Sequence, residues 1–174
     1  LDDATFQAVF EPTIAKIVQV YDPSAVVLQL GADSLAGDRL GVFDLSIDGH
    51  ASCVRYVKSL KVPLMCLGGG GYTMANVARC WSFETAVLLG MDDRIQDEIP
   101  VDDRYREYYG PDYSLTKLCL KRAPPSAASQ AAPGSGSKNR NSSAYISNVL
   151  RSVFCNLEAV KGAPAVAFGD VAPP

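Results

Sequence analysis

The sequence predicts an α/β domain in which a parallel sheet is flanked by helices, and three observations carry that expectation. Two short apolar runs, AVVLQL at 25–30 and VPLMCL at 62–67, have the length and composition of buried strands. Each empties into a glycine-bearing loop. Each loop is followed by apolar residues at helical spacing. Strand, loop and helix repeated in that order is the pattern of a parallel layer, whose ligands bind beyond the carboxyl ends of the strands. Both loops emerge at that end, so the two are expected to line one site.

The elements follow in chain order. Phe6, Val9, Phe10, Ile14, Ile17, Val18 and Tyr21 recur at helical spacing, with Asp2 and Asp3 available as caps. The spacing predicts an amphipathic helix interrupted or kinked at Pro12 and ended by Asp22-Pro23. After the first strand comes the loop GADSLAGDRLGVFDLS. From His50 to Leu60, Val54, Val57 and Leu60 fall on one helical face. The second strand leaves through four consecutive glycines, Gly68 to Gly71. The stretch TMANVARCWSFETAVLL then carries Val77, Trp81, Val87 and Leu88 on a long helix closed by Gly90.

Beyond residue 91 the pattern weakens. DRYREYYGPDYSL, 103–115, is dense in tyrosine and turns at Gly110-Pro111. Residues 123–143, rich in Ala, Ser, Pro and Gly, cannot build a core and read as a flexible insertion. A last helix is expected at about 144–159, on Ile146, Val149, Leu150, Val153, Phe154 and Leu157, before an extended tail. This divides the chain into a main unit at 1–115, a connection at 116–122, the insertion at 123–143, and a terminal helix and tail at 144–174.

Composition narrows the function classes. With 174 residues, 48% hydrophobic and 20% charged, the chain reads as one soluble globular domain or part of one. No apolar run approaches the roughly 20 residues of a membrane span. A net charge of −3 argues against nucleic-acid binding through a basic surface. The five cysteines, Cys53, Cys66, Cys80, Cys119 and Cys155, are widely spaced and form no CxxC pair. They suggest neither a disulfide framework nor a thiolate zinc site, and a reducing compartment fits them. The chain opens on Leu1 without a signal-like segment, as though cut from something longer.

Few residues stand out for chemistry. Asp33, three residues past a strand, could face a pocket and bind a cation, or could cap the SLAG turn through backbone bonds. Asp38 and Asp44 compete for the same role. Gly68, Gly69, Gly70 and Gly71 suggest a sharp bend or close approach to a ligand. A phosphate cradle is the rival, but GxxxxGK[ST] is absent and Thr73 stands where a dinucleotide fingerprint needs its third glycine. Tyr72 could donate to a developing oxyanion, or simply pack at a helix start. His50 is the only histidine and has no second ligand in its neighbourhood of sequence, so a structural or capping role suits it. A zinc site built within this chain alone would need carboxylates for nearly every ligand, an unusual set for that metal.

Two long blocks, PSAVVLQLGADSLAGDRLGVFDLSIDGHASCV and VPLMCLGGGGYTMANVARCWSFETAVLLG, closely resemble consecutive blocks of class I histone deacetylases. The resemblance is dense over about 1–115 and returns faintly in the final helix. It implies the arginase/deacetylase α/β fold, of which this chain would be the second half. It implies Zn2+ as cofactor, with Asp33 matching one of two aspartates that hold the metal beside a histidine. Tyr72 matches the tyrosine that polarises the acetyl carbonyl. Leu40 matches a lining residue of the acetyl-lysine channel, and Gly68–Gly71 its floor. The paired general-base histidines, the remaining metal ligands and the channel phenylalanines have no counterpart here, so the chain alone is expected to be inactive.

The same resemblance implies acetylated histone tails as substrate, corepressor proteins as partners, no direct nucleic-acid or membrane contact, and residence in the nucleus, with the cytoplasm as a second compartment. Arg39 matches one basic residue of the family's inositol phosphate site, whereas Ala75 stands where a second arginine is usual, and Asp48 makes this surface more acidic. Three functional readings result: part of a longer deacetylase, a truncated non-catalytic relative that acts by binding, or an amidohydrolase for other acylated amines. The class I character of the blocks argues against the last.

Overall fold

The structure, a computed structural model, describes residues 1–120 and 139–160. Helix α1 spans Asp3–Tyr21, strand β1 Val26–Gln29, helix α2 Ile47–Ser59, strand β2 Leu64–Leu67, helix α3 Met74–Leu89 and helix α4 Ser143–Glu158. The two strands pair in parallel, Val26 opposite Leu64 through Gln29 opposite Leu67. An α/β layer with a small parallel sheet is therefore present, in the expected order of elements.

Strand β1 is shorter than the apolar run that encodes it, although the Leu30 N–H still donates to Leu67 O and the Val26 N–H to Pro63 O. Pro63 has no N–H to return, which limits β2 at that end. One face of the sheet, with Leu28 and Cys66, joins the core formed by Leu35, Leu45, Ile47, Val54, Cys80 and Val87. The other face is open: Val27, Met65 and Leu67 are 64%, 59% and 47% exposed.

Two helices depart from the expected bounds or shape. Helix α1 runs unbroken through Pro12 rather than being interrupted there. Proline removes one backbone bond and strains the preceding turn, but α1 is held on both sides of it. Before it, Phe10 meets the Tyr56 ring edge-on at 6.4 Å and Phe6 lies 6.1 Å from Phe43; after it, Lys16 pairs with Glu158 of α4 at 2.6 Å. Helix α2 begins at Ile47, three residues before His50, because Ser46 caps it by accepting from the Gly49 N–H at 2.9 Å. Asp2 caps α1 through the Thr5 N–H. Asp3 instead accepts from the Ser46 N–H and hydroxyl at 2.9 and 2.7 Å, tying the starts of α1 and α2 together.

The expected insertion lies outside the described residues up to residue 138, as does the tail from residue 161. The last residues of the 123–143 stretch are placed: Asn139 donates to Asp2 at 3.2 Å and also to Thr5, and Ser142 caps α4. The segment from Asp97 to Leu120 is held against α3 chiefly by Arg79, which is 1% exposed. Its guanidinium donates to the Ser114 and Tyr109 carbonyls, both at 2.7 Å, and lies 5.0 Å from the centre of the Tyr109 ring. No helix among the described residues is long and apolar enough to cross a membrane.

Arg79→Leu leaves the two carbonyls without their donor in a buried site and is expected to cost on the order of 3 kcal/mol. Denaturant unfolding checks the magnitude. Amide exchange should show residues 97–120 losing protection before α2 and α3 do.

Candidate functional site

The parallel register brings the two strand-exit loops side by side. The Ala32 N–H, at the start of a short 3-10 turn spanning Ala32–Ser34, donates to Gly70 O at 2.7 Å. Asp33 follows, half-buried, and its carboxylate lies against Gly70: a Cβ added there would sit 2.1 Å from Asp33 Oδ2. Any side chain at Gly70 would push the carboxylate away. Gly71 has φ +139°, a backbone conformation that side-chain-bearing residues rarely adopt, and its added Cβ would meet Val77 at 2.6 Å. Gly68 packs against the Trp81 ring and Gly69 against the Gln29 amide. The glycines thus allow the second loop to lie directly on the first.

Asp33 does not cap the turn that follows it. Asp38 caps the next turn, its Oδ1 accepting from the Leu40 and Gly41 N–H groups at 2.8 and 2.9 Å. Its other oxygen accepts from the Tyr72 N–H at 2.8 Å, and the Thr73 hydroxyl donates to Gly37 O at 3.0 Å. Asp38 is therefore the tie between the loops. Burial works to raise its pKa, but the Tyr72, Gly41 and Leu40 amides outweigh this and hold it below the usual carboxylate value. The Asp33 carboxylate makes no hydrogen bond among the described residues. Tyr72 is 43% and Leu40 67% exposed, and Arg39 is exposed without an ion pair among the described residues. Asp48 pairs with Arg55 at 2.8 Å.

His50 sits behind the first loop, buried, and it is not alone. Its Nδ1 lies 2.5 Å from Glu84 Oε1 and its Nε2 3.1 Å from Gly31 O, with Cys80 Sγ 3.7 Å from Nδ1. Burial would lower the imidazole pKa, but the hydrogen bond and charge of Glu84, together with the Gly31 carbonyl, raise it above the ordinary value. Sequence reasoning saw no partner for His50 because Glu84 is 34 residues away. The available signal was a carboxylate set between Trp81, Phe83 and Val87 on an apolar helix.

His50, Cys80 and Glu84 place their donor atoms within 4.8 Å of one another, close enough to share a metal ion. Both ring nitrogens of His50 are already committed to oxygens, however, and burial and Glu84 push the Cys80 thiol pKa up, away from the thiolate a metal needs. The cluster is better described as a hydrogen-bonded pair. For zinc at Asp33 the residues present do not suffice: a catalytic zinc takes three protein ligands, and no metal-sized group among the described residues includes Asp33. Among the described residues, Asp33 is the one carboxylate offered to that metal.

Because the charged form of Asp38 is the one held by the fold, its stabilisation is complete above the ordinary carboxylate pKa and fades as pH falls through its lowered folded value. Asp38→Asn should cost roughly 1–3 kcal/mol at neutral pH. The gap to the unsubstituted chain should narrow on acidification; thermal melts across pH 7 to 3 test this.

The model of the histone deacetylase domain matches residues 1–88. The chain is 49% identical to histone deacetylase RPD3 of Saccharomyces cerevisiae over 95% of its own length and 34% of that protein's. It is 46% identical to histone deacetylase 9 of Arabidopsis thaliana, over 99% of the chain and 36% of the relative. With human histone deacetylase 1 the identity is 45%, over 95% and 31%. The chain thus spans about a third of the length of the curated relatives it matches. On the family match over half its residues, and on the two loops that this match includes, the chain belongs to the histone deacetylase domain family.

Proposed function

We propose that this chain is the downstream part of the catalytic domain of a zinc-dependent deacetylase acting on N6-acetyl-lysine in histones, and that alone it is inactive. The observation that carries the reading is the Asp33 carboxylate, without a hydrogen bond among the described residues and pressed on Gly70 beyond the carboxyl ends of the parallel strands, Gly70 being two residues before Tyr72. A carboxylate left free in such a place is available to a cation.

In this reading Asp33 is one of three protein ligands, and the other two come from outside these residues. Zinc supplies a Lewis acid and a water of lowered pKa when the ligand set is complete. The Tyr72 hydroxyl donates to the acetyl carbonyl oxygen as negative charge develops there. Its main chain is fixed by Asp38 while its side chain stays accessible. Leu40 and the main chain of Gly68–Gly71 line the channel for the acetyl-lysine stem. The open sheet face supports the same reading, because parallel sheets are ordinarily covered on both sides and Val27, Met65 and Leu67 lack that cover.

Residues 1–115 would form the second half of the catalytic domain, with 123–143 an insertion and 144–174 a terminal helix and tail. Acetylated histones as substrate agree with the names of the relatives; corepressor partners and a nuclear location, with the cytoplasm as a second compartment, are what the family resemblance implies. The inositol phosphate site would retain Arg39 but lack a guanidinium at Ala75, which weakens the contact by a few kcal/mol at most. The single free carboxylate also favours a second reading, a non-catalytic relative that binds partners.

Metal content and acetyl-lysine hydrolysis separate the readings when the 174-residue chain is measured beside a longer product of the same gene. The long form should hold one zinc, and Tyr72→Phe should remove most of its turnover, by roughly 10²-fold or more. Zinc-dependent deacetylation by the 174-residue chain alone would overturn the proposed inactivity; a longer product without zinc or turnover would favour the binding protein.

A further inference from the structure

Two successive carbonyls at the mouth of β1 are held by residues one turn apart on α3. Trp81 reaches the first directly, its Nε1–H donating to Leu30 O at 2.7 Å. Glu84 reaches the second through an intermediary: its Oε1 faces His50 Nδ1 at 2.5 Å, and His50 Nε2 faces Gly31 O at 3.1 Å. Gly31 is two residues before Asp33. We propose that His50 and Glu84 are a positioning pair for the loop that carries Asp33, acting through the Gly31 carbonyl.

The direction of the bonds follows from the atoms. A carbonyl oxygen only accepts, so Nε2 must carry the proton in the bond to Gly31. At Nδ1 the proton can rest on the ring or on Glu84, and in both cases Nε2 remains the donor. The role therefore does not depend on which partner is charged. Glu84 is 1% and His50 9% exposed; among the described residues the Cys80 thiol also lies near the ring, at 3.7 Å from Nδ1, and the Asp33 charge acts on it from the loop. Burying such a pair costs free energy that an apolar pair of the same volume would avoid. What the apolar pair could not supply is a donor to Gly31 O. The Ser34 hydroxyl also bonds that oxygen, at 3.3 Å, but it moves with the loop and cannot anchor it to the helices. The consequence for metal binding rests on the reading of Asp33 above; the positioning itself does not.

The test is NMR on the isotopically labelled 174-residue chain. Glu84→Leu touches no atom of the loop, yet it should shift the Gly31 carbonyl and the Ala32 and Asp33 amide resonances as His50→Phe does. Glu84→Gln, whose amide N–H can donate to Nδ1 and so keep the proton on Nε2, should return them close to their original positions. Loop resonances unmoved by Glu84→Leu, or moved as far by Glu84→Gln, would overturn the proposal. The unsubstituted chain gives an independent reading: a protonated His50 Nε2 at neutral pH supports the pair, and an Nε2 with a free lone pair refutes it. Asp33→Asn removes a charge that acts on the ring, yet should leave the proton on His50 Nε2 and the Glu84→Gln rescue intact. Failure of Asp33 as a ligand would instead appear in the zinc content of the long form.

Discussion

The parallel pairing of β1 and β2 is the constraint on which the site depends. Only four residues in each strand are paired, yet that register decides which atoms of the two loops meet. With Gln29 opposite Leu67, the residues that follow are Leu30 to Asp33 on one side and Gly68 to Tyr72 on the other. The Ala32 bond to Gly70 O extends the pairing into the loops. A slip of one residue would turn each side chain to the opposite face and set Asp33 against a different glycine. The site is thus a property of the sheet, and the open face of that sheet is part of the same structure.

Helix α3 then fixes what the sheet aligns. From one helix, Trp81 bonds the end of β1, Glu84 braces His50 and Val77 closes on Gly71. Further round, Asn76 and Arg79 bond the downstream segment. Polar side chains on a largely buried helix are costly unless they are hydrogen-bonded, and here each is. One Glu84 oxygen is the exception, buried without a partner among the described residues.

What could be read from the sequence was whatever leaves a local pattern. Both strands, α2, α3 and its Gly90 cap follow from apolar period and turn chemistry, because neighbours in the chain determine them. Asp33 and the glycine run could be picked out as candidates for the same reason. The choice between capping and a free carboxylate could not, since it turned on how Asp33 lies against Gly70 of the second loop, far along the chain. The pairing of His50 with Glu84 was hidden likewise, and the unbroken course of α1 through Pro12 depends on contacts with Tyr56 and Glu158 far along the chain. Long-range polar bonds carry no period, which is why these features emerge only in three dimensions.

The attachment of residues 97–120 has a consequence for how this region can change over time. Arg79 addresses the carbonyls of Ser114 and Tyr109, and Asn76 exchanges bonds with the carbonyl and N–H of Cys119. Two contacts of Arg79 read side chains: the 3.2 Å approach to Cys119 Sγ and the stacking over the Tyr109 ring. Main-chain groups are the same in nearly every residue type, so the polar grip of the helix constrains the backbone path, while side-chain identity is constrained at the inward positions Tyr109, Leu115 and Cys119. Mutational drift can rewrite the outward positions of this strap while its path across α3 is inherited, and the strap's end, where Cys119 and Leu120 lie against Gly37, ties that path to the first loop.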